Sequence, residues 1–562
     1  MTKQRYVDDL MGKLTIEEKV GQLMVFGFMG PVIYPHTREL IQKYYVGGFR
    51  IAQKFHPGSS ESREKKENPH YKYANNNTFD VPLGMQTKRI NCTPEEYAAA
   101  LNTIRDMALD RKNSIGLHFA FDQEGEGADF LFRQRLFPYP MGIVATGNPQ
   151  TAYDVAYAAG KQAHALGANL IHSPVLDVNT NPDNPEIGPR SYSSDPDVVV
   201  EYALKSLKGY NDAGIACTGK HFPGRGASDS DAHFSLPTID LSKEEMFATH
   251  LKPFKALIDN GLQCIMAAFT AYPHLGGADM PAATCRAIIT GILRGELGYK
   301  GVVSTDNMQM KGLIDKYEIG EASVRCLLAG CDLILFRSES PAVIYVIEKV
   351  LEAVKNGRYP ESMLDESVQR ILAMRYDMGL HINGGKVDAS RAGELFNDDF
   401  IVQTANKAAL ESTKIVKNKD NVIPVDKNKR VLLIEQIHHF HSFINDTYVH
   451  AGVLWEEMRK YSDNVSVVAI NESYTDNDKQ AVLSRLAQND YDIVVTTSYY
   501  NYRTHAIMTE LLREITAYGK PVIVVANNPY EKYGMPDFIN NGIVNYCPSG
   551  RENIAAIARA IY

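Results

Sequence analysis

Residues 220–237 read KHFPGRGASDSDAHFSLP, a stretch whose residue types and spacing can do chemistry. Lys220 and His221 leave an apolar, β-branched run, Arg225 stands between two glycines, and Asp231 and His233 form an Asp-x-His pair on a polar segment. A His exchanges protons near neutral pH, and a carboxylate two positions away can fix its tautomer and stabilise the imidazolium. The stretch is a candidate polar grip followed by a proton-transfer dyad. An isolated Asp-x-His pair on a polar loop is more often simply solvated, so its company decides.

That company lies in residues 298–313, GYKGVVSTDNMQMKGL, where an apolar strand runs into Asp306 and then into a helix-like pattern. A carboxylate there can attack an electrophilic carbon. It is also the residue type that caps a helix N-terminus, and the local pattern leaves both roles open.

The elements that must position these residues alternate. Short apolar runs recur at 21–28, 46–51, 117–122, 169–174, 215–218, 264–270, 302–304 and 332–336, with helix-periodic stretches between most of them. Eight strands with intervening helices predict a (β/α)8 barrel, whose chemistry sits on the loops after the strands. Asp122, Lys220, His221 and Asp306 all stand at such strand ends. Together they suit a polyhydroxylated ligand, since charged side chains make paired, directional hydrogen bonds to sugar hydroxyls.

At 562 residues the chain exceeds one ordinary domain but suits a barrel plus a smaller α/β unit. The pattern changes near residue 380, where a Gly-rich polar stretch is followed by a predicted helix over 399–418. Five further strands alternate with helices and read as a small doubly wound αβα sandwich without a nucleotide-binding glycine fingerprint. The expected division is a catalytic barrel over 1–380, a linker with a helix over 381–428, and the sandwich over 429–562.

Composition excludes several classes. A net charge of -8 and no basic stripe argue against a nucleic-acid partner. No run approaches the about 18 apolar residues of a membrane span, and the N-terminus lacks a signal-peptide pattern, so a cytoplasmic chain is expected. Seven cysteines without C-x-x-C spacing read as reduced core thiols. His438, His439 and His441 lack an acidic ligand at metal-site spacing and read as a surface loop. A polar insertion at 56–91, after the second strand, is expected on the active-site face if ordered. No metal or organic cofactor is called for, the expected partner is a small carbohydrate, and the sequence carries no signature of an oligomeric state.

Taken together, KHFPGRG, DAH, STDNMQM, FDQEG and PVLDVNTNPDNPEIGPRSY resemble the family-3 glycoside hydrolases, and within them the bacterial β-N-acetylglucosaminidase branch, whose fingerprint is KHFPGHG followed by D-x-H. The resemblance covers nearly the whole chain and implies a barrel joined to an αβα sandwich. It implies Asp306 as the nucleophile that becomes attached to the sugar, His233 as acid/base and Asp231 as its orienting partner. It also implies that Asp122, Arg190, Lys220 and His221 grip the hydroxyls of the nonreducing sugar, with cell-wall recycling as the setting.

The chain departs from that branch at several positions. Glu126, Gly127 and Phe130 replace the glycine and two arginines that usually follow DQEG, Arg225 replaces the second fingerprint histidine, and Phe269 stands where the family has the His of M-T-A-H. The activity expected is that of a retaining, exo-acting β-N-acetylhexosaminidase. The alternatives are a β-glucosidase, a β-N-acetylglucosaminide phosphorylase of the same family, and a catalytically silent sugar-binding protein. The last keeps no reason for a nucleophile and a proton donor.

Overall fold

A computed structural model describes the chain except for residues 29–31, 52–92, 126–134, 338–341, 397, 438–451 and 501–506. The insertion at 56–91, the three His at 438–441, and Glu126, Gly127 and Phe130 therefore lie outside the described residues.

Eight strands, β1 (Met24–Phe28), β2 (Gly48–Ile51), β3 (His118–Asp122), β4 (Leu170–His172), β5 (Ala216–Phe222), β6 (Cys264–Ala267), β7 (Val302–Asn307) and β8 (Leu333–Leu335), close into a barrel in sequence order. Every pairing is parallel, including the closing pair β1–β8. Parallel strands buried on both faces need continuous apolar runs, which is why these segments read as runs and not as alternations. The intervening helices begin where the sequence supplies caps. Thr93 and Glu96 form a reciprocal capping box for helix Pro94–Leu109, and the side chain of Asp195 caps Pro196–Asp212.

The expected eight strands and barrel are thus present, with shifts at the ends that bear on the site. β5 continues past Thr218 through Lys220 and His221, and its register against β6 shifts between Lys220 and Phe222. Such an irregularity re-aims side chains at a barrel rim. β7 likewise runs beyond Ser304 to Asn307, so Asp306 lies on the strand. The next helix, Lys311–Ile314, has Met310 at its cap position, which removes the helix-cap reading of Asp306.

The second sheet has the order β11-β10-β12-β13-β14-β9, from β9 (Lys414–Asn418), β10 (Val431–Ile437), β11 (Val465–Asn471), β12 (Ile493–Ser498), β13 (Val522–Ala526) and β14 (Asn541–Val544). The five strands β10–β14 are parallel in the 2-1-3-4-5 arrangement of doubly wound folds, and β9 is antiparallel at the edge. Leu432, Ile434, Val494 and Val524 face one apolar cluster while Val431, Leu433, Val495, Ile523 and Val525 face another, as the two-residue strand period requires. The helix expected over 399–418 ends at Ser412. Its remainder, rich in β-branched residues, is the edge strand β9.

The two units meet through apolar packing, with Tyr139, Met141 and Ala145 against the core of the second sheet, and through polar contacts. After β12 and β13, the Tyr500 hydroxyl donates to the Pro185 carbonyl at 2.9 Å and the Tyr533 hydroxyl to that of Asp183 at 2.6 Å. The Asn179 amide donates to the Tyr530 hydroxyl at 2.9 Å. All three partners lie on the loop after β4. Six cysteines are described, and all are buried and free; Cys92 falls outside the described residues. No helix among the described residues is long and apolar enough to cross a membrane.

Candidate active site

The loops after the barrel strands bring the charged residues singled out above into one connected network. Asp122, the last residue of β3, takes a hydrogen bond from Lys220 Nζ at 2.7 Å and from Arg50 Nε at 3.0 Å, with His172 Nδ1 3.4 Å away. Lys220 also pairs with Glu124. Arg190 forks onto Glu124, with Nε at 2.5 Å and Nη2 at 3.1 Å, and donates through Nη1 to the Glu186 carbonyl at 3.1 Å. Burial works against the charge on Asp122, but Lys220 and Arg50 outweigh it and hold the carboxyl well below its usual range. Lys220 is shifted upward, since Asp122 and Glu124 overcome its own desolvation. Asp122, Glu124, Lys220, Arg50 and Arg190 form an ion-paired rim of donors and acceptors, while burial pushes the His172 pKa down.

A second layer fixes His221. Its Nδ1 lies 2.6 Å from Asp177 Oδ2, and the other oxygen of Asp177 accepts from the Arg225 backbone N–H at 2.7 Å. Burial and the nearby Arg225 push the imidazole pKa down against the pull of Asp177. A neutral ring that donates from Nδ1 to a carboxylate leaves Nε2 as an acceptor.

The glycines of PGRG have separate reasons. Gly224 adopts φ 108°, in the left-handed region. At Gly226 an added Cβ would stand 1.8 Å from the Val178 carbonyl oxygen, so only glycine lets this loop close on the loop after β4. That approach places Arg225, 2% exposed, between the two loops.

Asp306 and the His233 dyad sit at opposite ends of a charge chain. Asp306 Oδ1 accepts from the Asn307 N–H at 2.7 Å, and Oδ2 lies 3.8 Å from Arg225 Nη1. Burial would raise the Asp306 pKa, yet the Arg225 guanidinium, with the Asn307 N–H, more than cancels this and keeps the carboxylate ionised. Arg225 Nη2 donates to Glu186 Oε1 at 2.5 Å, and the same oxygen is 3.4 Å from His233 Nδ1. Asp231 Oδ1 accepts from both the backbone N–H and Nδ1 of His233 at 2.7 Å. Desolvation disfavours the imidazolium, but the bonds to Asp231 and Glu186 prevail and raise the His233 pKa to about 10. The His233 side chain keeps 40% of its surface open.

All seven residues picked from the sequence therefore enter one network. Sequence reasoning missed Glu186, Asp177, Glu124, Arg50 and His172 as members. Glu124 lies two positions beyond Asp122, and Asp177 and Glu186 both lie inside the quoted segment PVLDVNTNPDNPEIGPRSY, so all three carried a signal. Glu186, Asp231 and His233 also offer ligand atoms within 4.8 Å of one another, a spacing that a metal ion could use. Glu186 is already paired with Arg225, and the His233 nitrogen with Asp231, which makes the cluster an acid–base network on its own terms.

The family described as the glycosyl hydrolase family 3 N terminal domain matches residues 15–374, the whole barrel and its helices. This chain belongs to glycosyl hydrolase family 3. It is similar to Beta-hexosaminidase A of Pseudoalteromonas piscicida, 30% identical over 353 residues, which cover 59% of this chain and 58% of that protein. It is also similar to a beta-N-acetylglucosaminidase/beta-glucosidase of Cellulomonas fimi, 27% identical over 354 residues and 61% of each protein. The chain spans about three fifths of the length of these two relatives. The solved family 3 beta-N-acetylglucosaminidase from Paenibacillus sp. str. FPU-7 superposes with a TM-score of 0.80 at 26% identity, over 98% of this chain and 96% of that one. The expected fold, a barrel followed by a separate α/β sheet unit, is shared with it across both units.

Proposed function

We propose that this family 3 protein is a retaining, exo-acting β-N-acetylhexosaminidase that removes terminal β-linked N-acetylglucosamine. One observation carries the reading: an ionised Asp306 and a cationic His233 held by Asp231 border the same rim of sugar-gripping charges. In the first step Asp306 attacks the anomeric carbon while His233 passes its Nε2 proton to the leaving oxygen, which departs as the alcohol. In the second step the neutral His233 takes a proton from water, whose oxygen displaces Asp306 and restores the carboxylate. Asp231 does not change protonation; it holds the ring and balances its charge. Asp122, Arg190, Lys220 and His221 bind the nonreducing sugar hydroxyls. The choice of N-acetylglucosamine over glucose is supported by the activities named for the Pseudoalteromonas and Paenibacillus proteins.

In this reading the barrel over 1–380 supplies the chemistry, and the unit over 429–562 buttresses the loop after β4 through Tyr500 and Tyr533, joined by residues 381–428. The test is a panel of chromogenic β-glycosides with the anomeric product followed by NMR. N-acetyl-β-glucosaminide should be cleaved at least about 10-fold faster than β-glucoside, the sort of discrimination one substituent supports, and the β-anomer should appear first. A preference for glucoside, or first formation of the α-anomer, would sink the reading.

A further inference from the structure

Arg225 and Glu186 stand outside the roles just assigned, yet they form a side-chain bridge between Asp306 and His233. The order is Asp306, Arg225, Glu186, His233, Asp231, with charges alternating in sign and successive separations of 3.8, 2.5, 3.4 and 2.7 Å. Neither bridging side chain is loose, since each is 2% exposed. Asn184 Oδ1 accepts from the backbone N–H groups of Glu186 and Ile187 at 3.0 and 2.9 Å, and its amide donates to the Arg225 carbonyl at 2.9 Å. Tyr500 of the second unit grips the adjacent Pro185 carbonyl. The pair is thus built into both loops and braced from outside the barrel.

A double-displacement glycosidase asks one acid/base to do opposite things. It must hold its proton in the free enzyme and lack it in the glycosyl-enzyme. The event between the two states is conversion of the Asp306 carboxylate into a neutral ester. We propose that Arg225 and Glu186 transmit this loss of charge to His233, so that glycosylation of Asp306 lowers the proton affinity of the acid and turns it into the base. In the free enzyme Arg225 is shared between Asp306 and Glu186. Once Asp306 is esterified, Arg225 is left with Glu186 and the more distant charge of Asp177, which His221 already shares, and Glu186 holds the imidazolium less strongly. The inference rests on the retaining mechanism above and makes Arg225 and Glu186 positioning residues for His233.

The charged and titratable groups facing His233 are few. Asp231 and Arg225 lie on its own loop, the one after β5, Glu186 on the loop after β4, and Asp306, with His221 behind it, on the barrel rim. From the second unit the Tyr500 phenol feels Asp231 and Glu186, and its ionisation is pushed far upward, so it stays neutral. Asp306 is the one group whose charge the reaction itself removes.

The experiment measures the His233 ionisation in two states. The alkaline limb of kcat/KM on an N-acetyl-β-glucosaminide with a poor leaving group reports the protonated ring in the free enzyme. The acid limb of kcat on the dinitrophenyl glycoside, where deglycosylation limits turnover, reports the neutral ring in the glycosyl-enzyme. The second value should lie below the first by about one pH unit or more, the shift a charge at this range produces.

Glu186→Gln should narrow the gap by lowering the first value, and Arg225→Gln by raising the second, because an unneutralised Glu186 then grips the ring in both states. The double variant removes both buried charges, guards against a folding defect in either single one, and should keep the gap narrow; thermal unfolding of each is followed in parallel. Limbs unmoved in folded variants, with only KM altered, would place the pair on the substrate and overturn the relay. Absence of a glycosyl-enzyme in the wild type, seen as no burst and inverted product, would instead remove the retaining mechanism and the relay with it.

Discussion

Asp231 Oδ1 accepts two hydrogen bonds from His233, one from the backbone N–H and one from ring Nδ1, both at 2.7 Å. The first pins the turn and the second the ring. Nε2 is left as the nitrogen that can meet a leaving group. With Glu186 close by, the ring is an imidazolium at neutral pH, its pKa raised to about 10.

Replacing Asp306 by Asn should abolish turnover per folded molecule while a product analogue still binds. Asp306 lies on β7 and caps no helix, so thermal unfolding should move little. Calorimetric binding and melting curves check both halves; turnover surviving in the folded variant defeats the nucleophile assignment.

His233→Ala should lower kcat/KM about 100-fold or more on glycosides with poor leaving groups and far less on dinitrophenyl glycosides, whose departure needs little protonation. Asp231→Asn should act in the same direction more mildly. A loss of equal size across leaving groups would assign His233 to binding or folding.

The raised His233 pKa sets a pH window for activity and stability alike. On poor leaving groups kcat/KM should hold through neutral pH and decline as pH nears about 10, where the ring loses its proton. The same shift contributes folding stability that is full below the unfolded value of about 6.5 and fades as pH rises through the folded value. Asp231→Asn should pull the activity limb toward neutral. A limb unmoved in that variant would show that another group supplies the proton.

Removing Lys220 tests the grip. Lys220→Met leaves Asp122 and Glu124, close together and largely buried, with their arginine partners and His172. Breaking a buried ion pair from one side costs about 3 kcal/mol, so chemical denaturation should show that loss together with a raised KM. An unchanged denaturation midpoint would mean that the network relaxes to water.

Phosphate should remain a poor acceptor. A His acid/base is neutral after donating and does not repel phosphate as a carboxylate would. Arg225, the cation best placed for such an anion, is nevertheless buried between Glu186 and Asp306. Product analysis in phosphate buffer should find free sugar as the main product; a majority of sugar-1-phosphate would make the protein a phosphorylase.

What the sequence by itself determined was the alternation of apolar runs and helices, hence the barrel and the sandwich, because burial on both faces of a parallel sheet writes itself into consecutive residues. It also named the chemically able residues, since KHFPGRG, Asp231 with His233, and Asp306 lie in short local patterns. Three things were decided only in three dimensions. Asp306 kept a helix-cap reading until the length of β7 removed it. The 399–418 segment carried helical periodicity throughout, yet pairing with β14 turned its end into β9. Glu186, inside a quoted segment but with no role read for it there, became the bridge between Arg225 and His233, residues 39 and 47 positions away, because Gly226 lets two loops close on each other. Electrostatic partners are chosen by distance in space, and a linear pattern holds no record of which distant charges the closed barrel will bring within reach.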